Sequence, residues 1–192
     1  MLKARDAALI AVFAALTAVL GLPGALTPFG ASVPITLQTL GPMLAGAILG
    51  WKRGVASAVV FLGLVAIGLP LLAGGRGGLT VFVGPSAGYL FGWIVGVAVI
   101  GLLVQWRLPR FSWWWTGLSV VAGGIAVVYL IGVPVLAMVT GTEGIVATLA
   151  AAAVYLPGDL IKAVIATTVA VAVHRAYPDL LSPLRSTQRE RV

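Results

Sequence analysis

Charged residues in this sequence are separated by runs too long and too apolar for a protein folded in water. None occurs between Asp6 and Lys52, Arg53 and Arg76, Arg76 and Arg107, Arg110 and Glu143, or Glu143 and Asp159. About 20 apolar residues carry a helix across a bilayer, so each longer run has room for at least one crossing. Of 192 residues, 60% are hydrophobic and only 9% charged, too few charges to cover a soluble domain of this length. The sequence therefore reads as an all-α integral membrane protein, a single transmembrane domain over 1–192.

Breaks at Gly, Pro and charge predict six helices, near 7–22, 37–50, 54–72, 85–105, 113–134 and 155–174. Connectors fall at 23–36, 51–53, 73–84, 106–112 and 135–154. The second helix is short for a crossing. Within the last connector, 142–154 reads as helical and suits either a crossing or a surface-lying segment. The start resembles a signal peptide, but no small-x-small cleavage site follows, so it reads as a retained first helix. With the N-terminus inside, Lys3, Arg5, Lys52, Arg53, Arg107, Arg110, Arg175, Arg185, Arg189 and Arg191 all fall on the cytoplasmic side. That asymmetry obeys the positive-inside rule and requires an even number of crossings. Both termini, including a tail over 175–192, are expected in the cytoplasm.

Aromatic placement agrees. Trp51, Trp106, Trp113, Trp114 and Trp115 map to the inner interface, where amphipathic rings are accommodated, with Trp93 the exception. Tyr89, Tyr129 and Tyr155 map towards the outer half, together with Arg76, Asp159 and Lys162. A cavity opening outward accounts for that collection of polar groups.

The net charge of +7 does not imply nucleic-acid binding, because the basic residues stand in pairs at the ends of apolar segments, where they orient helices. Cysteine is absent and histidine single, which removes disulfide, thiolate and clustered metal chemistry. His174, beside Arg175, is expected at the inner interface. No nucleophile and base stand together at membrane depth, so an intramembrane enzyme is disfavoured, and no cofactor is implied. Nor is there a Gly-x-x-x-x-Gly-Lys-[Ser/Thr] run to bind a nucleotide.

Asp159 and Lys162 are an acid and a base together inside an apolar stretch, in Tyr-Leu-Pro-Gly-Asp-Leu-Ile-Lys (155–162). Each charge at membrane depth costs about 2.5–3.5 kcal/mol even on lenient scales, so such groups face a partner, a cavity or a substrate. Three residues apart, the two point the same way on a helix. They are either a self-neutralising pair or a ligand contact, and Pro157 is expected to kink the helix and free carbonyls beside them. Val-Pro-Ile-Thr-Leu-Gln (33–38) brings Thr36 and Gln38 as helix-capping residues or as a polar lid. The connector over 73–84 has four glycines around Arg76, and Gly-Pro-Ser-Ala-Gly-Tyr (84–89) opens the next helix. Gly75, Arg76 and Ser86 there suit an anion, since a helix start presents free amides. The first helix carries Ala7, Ala11 and Ala15 at spacing four, a stripe that lets a neighbouring helix or a partner approach closely.

Taken in order, these motifs, with Leu-Ala-Gly-Ala-Ile-Leu-Gly (44–50), Gly-Leu-Pro (68–70) and Gly-Gly-Arg-Gly-Gly-Leu (74–79), resemble the BioY family. That family comprises the biotin-specific substrate-binding S components of energy-coupling-factor (ECF) transporters. The resemblance runs from the first helix to about residue 174. It departs at 84–89, where the family usually has Gly-Pro-Thr-Gly-Gly-Tyr: Ser86 keeps the hydroxyl and Ala87 replaces a glycine. The resemblance implies a six-helix S component in a prokaryotic plasma membrane, binding biotin near its outer side under a cap formed by the first outer connector. Asp159, Lys162, Tyr89, Tyr155, Thr36, Gln38, Gly75, Arg76 and Ser86 are the expected biotin contacts. The Ala7, Ala11 and Ala15 stripe is the expected docking face for a transmembrane coupling protein that works with two ATPase subunits, although members also occur without a dedicated module. An S component for another vitamin, and a structural membrane protein, are the rival readings.

Overall fold

The computed structural model describes residues 3–24, 33–141 and 144–181, and among these every regular element is helical. Helix α1 spans Ala4–Val19, α2 Leu40–Ala66, α3 Ala87–Arg107, α4 Trp113–Val121, α5 Val128–Thr140, α6 Ile145–Ala152 and α7 Leu156–Ala176. A π-helical stretch, Ala122–Val127, joins α4 to α5, and a 3₁₀ turn, Ala153–Tyr155, joins α6 to α7. Four helical runs are long and apolar enough to cross a membrane: Leu40–Ala66, Ala87–Arg107, Trp113–Thr140 and Ile145–Ala176.

The boundaries correct several expectations. The helix predicted at 7–22 lies at 4–19. Those predicted at 37–50 and 54–72 are the two arms of α2, parted by a break at Gly50 alone and not by a connector at 51–53, and the second stops at Ala66 because Gly68 (φ 104°) and Pro70 cannot continue it. The helix predicted at 113–134 runs to Thr140 straight through Pro134. The 142–154 segment contains α6, which the 3₁₀ turn makes continuous with α7.

Helix α2 is broken at one residue. Gly50 has φ 75° and ψ −179°, a region open essentially to glycine alone. A side-chain Cβ at Gly54 would lie 2.9 Å from the carbonyl oxygen of Ala45. Nine residues of straight helix would separate those positions by about 13.5 Å, so the chain folds back at Gly50 and its two arms lie side by side. The turn is stitched by the Gln105 side chain, whose Oε1 accepts from the Trp51 amide at 3.0 Å. Every residue from Gly41 to Gly50 is buried, so the first arm is a core helix wrapped by its neighbours.

Helix α3 packs against α2 on one side and α5 on the other. Two apolar clusters fill the bundle. One gathers Phe61, Val65, Tyr89, Trp93, Leu136 and Tyr155, and the other Met43, Leu49, Ile100, Val104, Val120 and Ala166. At the second end, Arg53 donates to the Leu180 carbonyl at 2.7 Å and meets Asp6 at 3.4 Å, tying α1, α2 and the C-terminal turn. His174 is buried there, contrary to the interfacial position expected. Its Nε2 donates to the Ala47 carbonyl at 3.0 Å, and its ring packs 4.4 Å from Phe111.

Candidate functional site

Helix α7 brings both buried charges to the first cluster's end of the bundle. Pro157 lies in its first turn, where the amide it lacks has no intrahelical partner anyway, so it starts the helix and does not kink it. Asp159 also sits in that first turn, where the free amides of a helix start favour a carboxylate. Asp159 and Lys162 are 6% and 4% exposed, with Nζ 2.7 Å from Oδ1.

A bare ion pair in an apolar interior does not repay its desolvation, and extra hydrogen bonds are needed to hold it. They are present. Lys162 Nζ donates also to the Thr39 hydroxyl at 2.7 Å and to the Thr36 carbonyl at 2.8 Å, so each of its three protons has an acceptor. The Thr39 hydroxyl in turn donates to Asp159 Oδ1 at 3.3 Å, and Tyr129 donates to Oδ2 at 2.7 Å. The network spans three parts of the chain: the connector that enters α2, helix α5 and helix α7. The ammonium is thereby fully committed, whereas the carboxylate, with three bonds on about four acceptor sites, keeps one site on Oδ2 in reserve.

This network forms one wall of a cavity. The connector at 33–39 covers it; Leu72, Arg76 and Ser86 close another side; Tyr89, Leu90 and Trp93 of α3, Val128, Tyr129 and Tyr155 complete it. Gly124, in the π-helical stretch, also lines it. A π turn inserts a residue into the helix and offsets the face presented afterwards, here the face carrying Val128 and Tyr129. The Tyr129 ring meets Tyr89 edge-on, centroids 6.0 Å apart, and Trp93 lies 6.2 Å from Phe61. Both the Tyr89 hydroxyl and the Trp93 indole N–H are buried without a hydrogen-bond partner, a condition that costs about 1–3 kcal/mol each.

Eight of the nine expected contacts line this cavity: Asp159, Lys162, Tyr89, Tyr155, Thr36, Gln38, Arg76 and Ser86. Gly75 does not; it borders a separate recess against the end of α1. Gln38 is 1% exposed and its amide is spent on the backbone. It donates to the Thr17 and Leu71 carbonyls and accepts from the Ala73 amide at 2.8 Å, binding α1 and the 71–76 turn to the site. Arg76 Nε donates to Ala73 O at 3.2 Å, and its guanidinium reaches Ser86 Oγ at 3.5 Å. Among the described residues no carboxylate pairs with it. Partial burial draws its pKa below the ordinary value, yet a guanidinium stays cationic at neutral pH.

Thr39, Tyr129 and Trp93 complete the site beyond the expected residues. Thr39 follows Thr36 at helical spacing, and Trp93 stood apart as a tryptophan away from an interface; both were available signals. On α1, Ala7, Ala11 and Ala15 are all exposed, in a stripe that flanks the buried Ile10, Ala14 and Thr17.

Fold and site together define a class: a multi-pass membrane protein built round a cavity with one charged wall. Residues 1–179 match the family model described as the BioY family. The biotin transporter BioY of Rhizobium etli is 42% identical, the match covering 96% of this chain and 100% of that protein. That of Rhodobacter capsulatus is 43% identical, over 92% of this chain and 97% of the relative. A crystal structure of the S component for biotin from an ECF-type ABC transporter superposes with a TM-score of 0.83 at 30% identity, covering 91% of this chain and 95% of the other. The chain belongs to the BioY family. With its apolar spans and bacterial relatives, it is a multi-pass protein of a prokaryotic plasma membrane.

Proposed function

We propose that this protein is the substrate-binding S component of an ECF-type transporter and that it binds biotin in the cavity above. The observation that carries the reading is the Asp159–Lys162–Thr39–Tyr129 network, a rigid polar wall facing aromatic and aliphatic side chains. Biotin has matching chemistry: a ureido ring with two N–H donors and one carbonyl, an apolar thioether ring, and a valerate carboxylate. Asp159 accepts from one ureido N–H at its free Oδ2 site, and charge-assisted bonds of this kind are the strong ones. Tyr155, Leu90 and Val128 cover the thioether ring and chain. Thr36 and its neighbours form the cap, and Lys162 holds that cap by its bond to the Thr36 carbonyl. Because Lys162 has no proton to spare, the valerate goes to Arg76 and Ser86.

Six crossings follow if the two arms of α2 count separately, with α1, α3, the α4–α5 run and the α6–α7 run as the others. An even number keeps both termini in the cytoplasm, as the distribution of Lys and Arg requires. The exposed Ala7, Ala11 and Ala15 face suits close approach by a transmembrane coupling protein, which with two ATPase subunits would supply the energy. Replacing Ala11 by Trp should then abolish co-purification with such a module while leaving biotin binding unchanged. Retained co-purification would remove α1 from the docking face.

Isothermal titration of the purified protein with biotin and biotin amide tests the site. Arg76→Gln should lower biotin affinity by about 10- to 100-fold, the worth of a charge-assisted bond, and barely change that for the amide. Lys162→Met should weaken both ligands equally. Absence of biotin binding by the unaltered protein would reject the substrate.

A further inference from the structure

The Tyr89 hydroxyl and the Trp93 indole N–H belong to no bond the fold needs, and both side chains line the cavity. Four residues apart on α3, they occupy one face of that helix. Both residues are more than nine-tenths buried, at 8% and 6% exposed. Neither ring is free to turn its polar edge elsewhere. Tyr89 lies on Gly132, where a Cβ would stand 2.6 Å from the ring, and against the edge of Tyr129; Trp93 packs on Phe61. Asp159 takes its bonds from Lys162, Thr39 and Tyr129, not from these two donors.

A buried polar group left unsatisfied in a native fold calls for an explanation. An indole N–H can only donate, so whatever completes this pair must bring an acceptor. We propose that Tyr89 and Trp93 are the donors that recognise the ureido carbonyl oxygen of the ligand, and that they set its selectivity for a urea over ring systems lacking that acceptor. One carbonyl oxygen has two lone pairs and can take both donors. The assignment rests on the biotin reading above. It leaves the free Asp159 Oδ2 site for one ureido N–H and Arg76 for the carboxylate, so each end of the ligand meets a group with bonding capacity to spare.

The test compares Tyr89→Phe and Trp93→Phe with the unaltered protein, each purified in detergent and titrated with biotin, desthiobiotin and 2-iminobiotin. Desthiobiotin keeps the urea without the sulfur, and 2-iminobiotin replaces the carbonyl oxygen by nitrogen. Each variant should lose about tenfold in affinity for biotin and desthiobiotin, one good hydrogen bond's worth, with 2-iminobiotin affinity unchanged. Because the Tyr89 hydroxyl has no partner within the fold, the thermal midpoint of Tyr89→Phe without ligand should stay level or rise. A biotin to 2-iminobiotin ratio that stays at its original value overturns the proposal, as does sparing of desthiobiotin. A fall in the ligand-free midpoint of Tyr89→Phe overturns it too, since its hydroxyl would then have had a partner. If the unaltered protein binds no biotin, the substrate reading fails instead, a result visible before any variant is made.

Discussion

Helix α7 carries a buried ionisable group near each end, and the two are held in opposite ways. At one end Asp159 and Lys162 form an ion pair surrounded by Thr36, Thr39 and Tyr129, beside a cavity. At the other, His174 makes one bond, to the Ala47 carbonyl, and otherwise packs on Phe111. Since a carbonyl only accepts, Nε2 carries a proton and donates it to that bond. A stabilising contact between helices needs no more than the His174 arrangement. The costlier arrangement at Asp159 is found where a cavity gives charged groups something to meet.

The sharpest way to break this comparison is Asp159→Ala. It strands the Lys162 charge and should destabilise the protein by about 3–5 kcal/mol while abolishing biotin binding. Pairing it with Lys162→Met removes the stranded charge, so the thermal midpoint should recover largely and the binding not at all. Recovery of both would reduce the pair to a structural filler. Smaller in effect, Gly50→Ala should cost about 1–3 kcal/mol, because φ 75° is closed to alanine and the new Cβ would fall on Leu181 and Gln105. Thermal unfolding would measure it, and biotin affinity should hold in the folded fraction. Smallest is His174→Leu, predicted to cost about 1 kcal/mol for its single bond and to leave the biotin dissociation constant unchanged; a changed constant would mean the two ends of α7 are coupled.

Much of the site was legible because charge in an apolar run is conspicuous. Asp159, Lys162 and Arg76 stand out for that reason alone. Tyr129 and Thr39 were harder, since one hydroxyl looks like another until the π turn and the path of residues 33–39 decide which hydroxyls reach the carboxylate. Gln38 was visible as a polar residue, but only the packing of α1 and the 71–76 turn shows its amide to be consumed by backbone. In the fold, a break near residue 51 was expected from Trp51, Lys52 and Arg53. That it takes only Gly50 to reverse the helix depends on backbone angles that composition does not report. The extension of the fifth predicted helix to Thr140 was missed because its expected end fell at Pro134, and Pro157 was expected to kink a helix that it starts. One lies inside a helix and the other at a helix start, and neither ends its run.

The bond from Lys162 to the carbonyl of Thr36 ties together two events that could have been independent. The same ammonium braces Asp159 and fastens the chain segment lying over the cavity, so lifting that segment perturbs the carboxylate proposed to meet the ligand. Thermodynamic linkage is reciprocal: any partner that favours the raised segment must loosen the ligand by the same factor by which the ligand resists the raising. Release and exposure are then a single equilibrium, and a partner needs to grip only the covering segment to alter how tightly the cavity holds its contents.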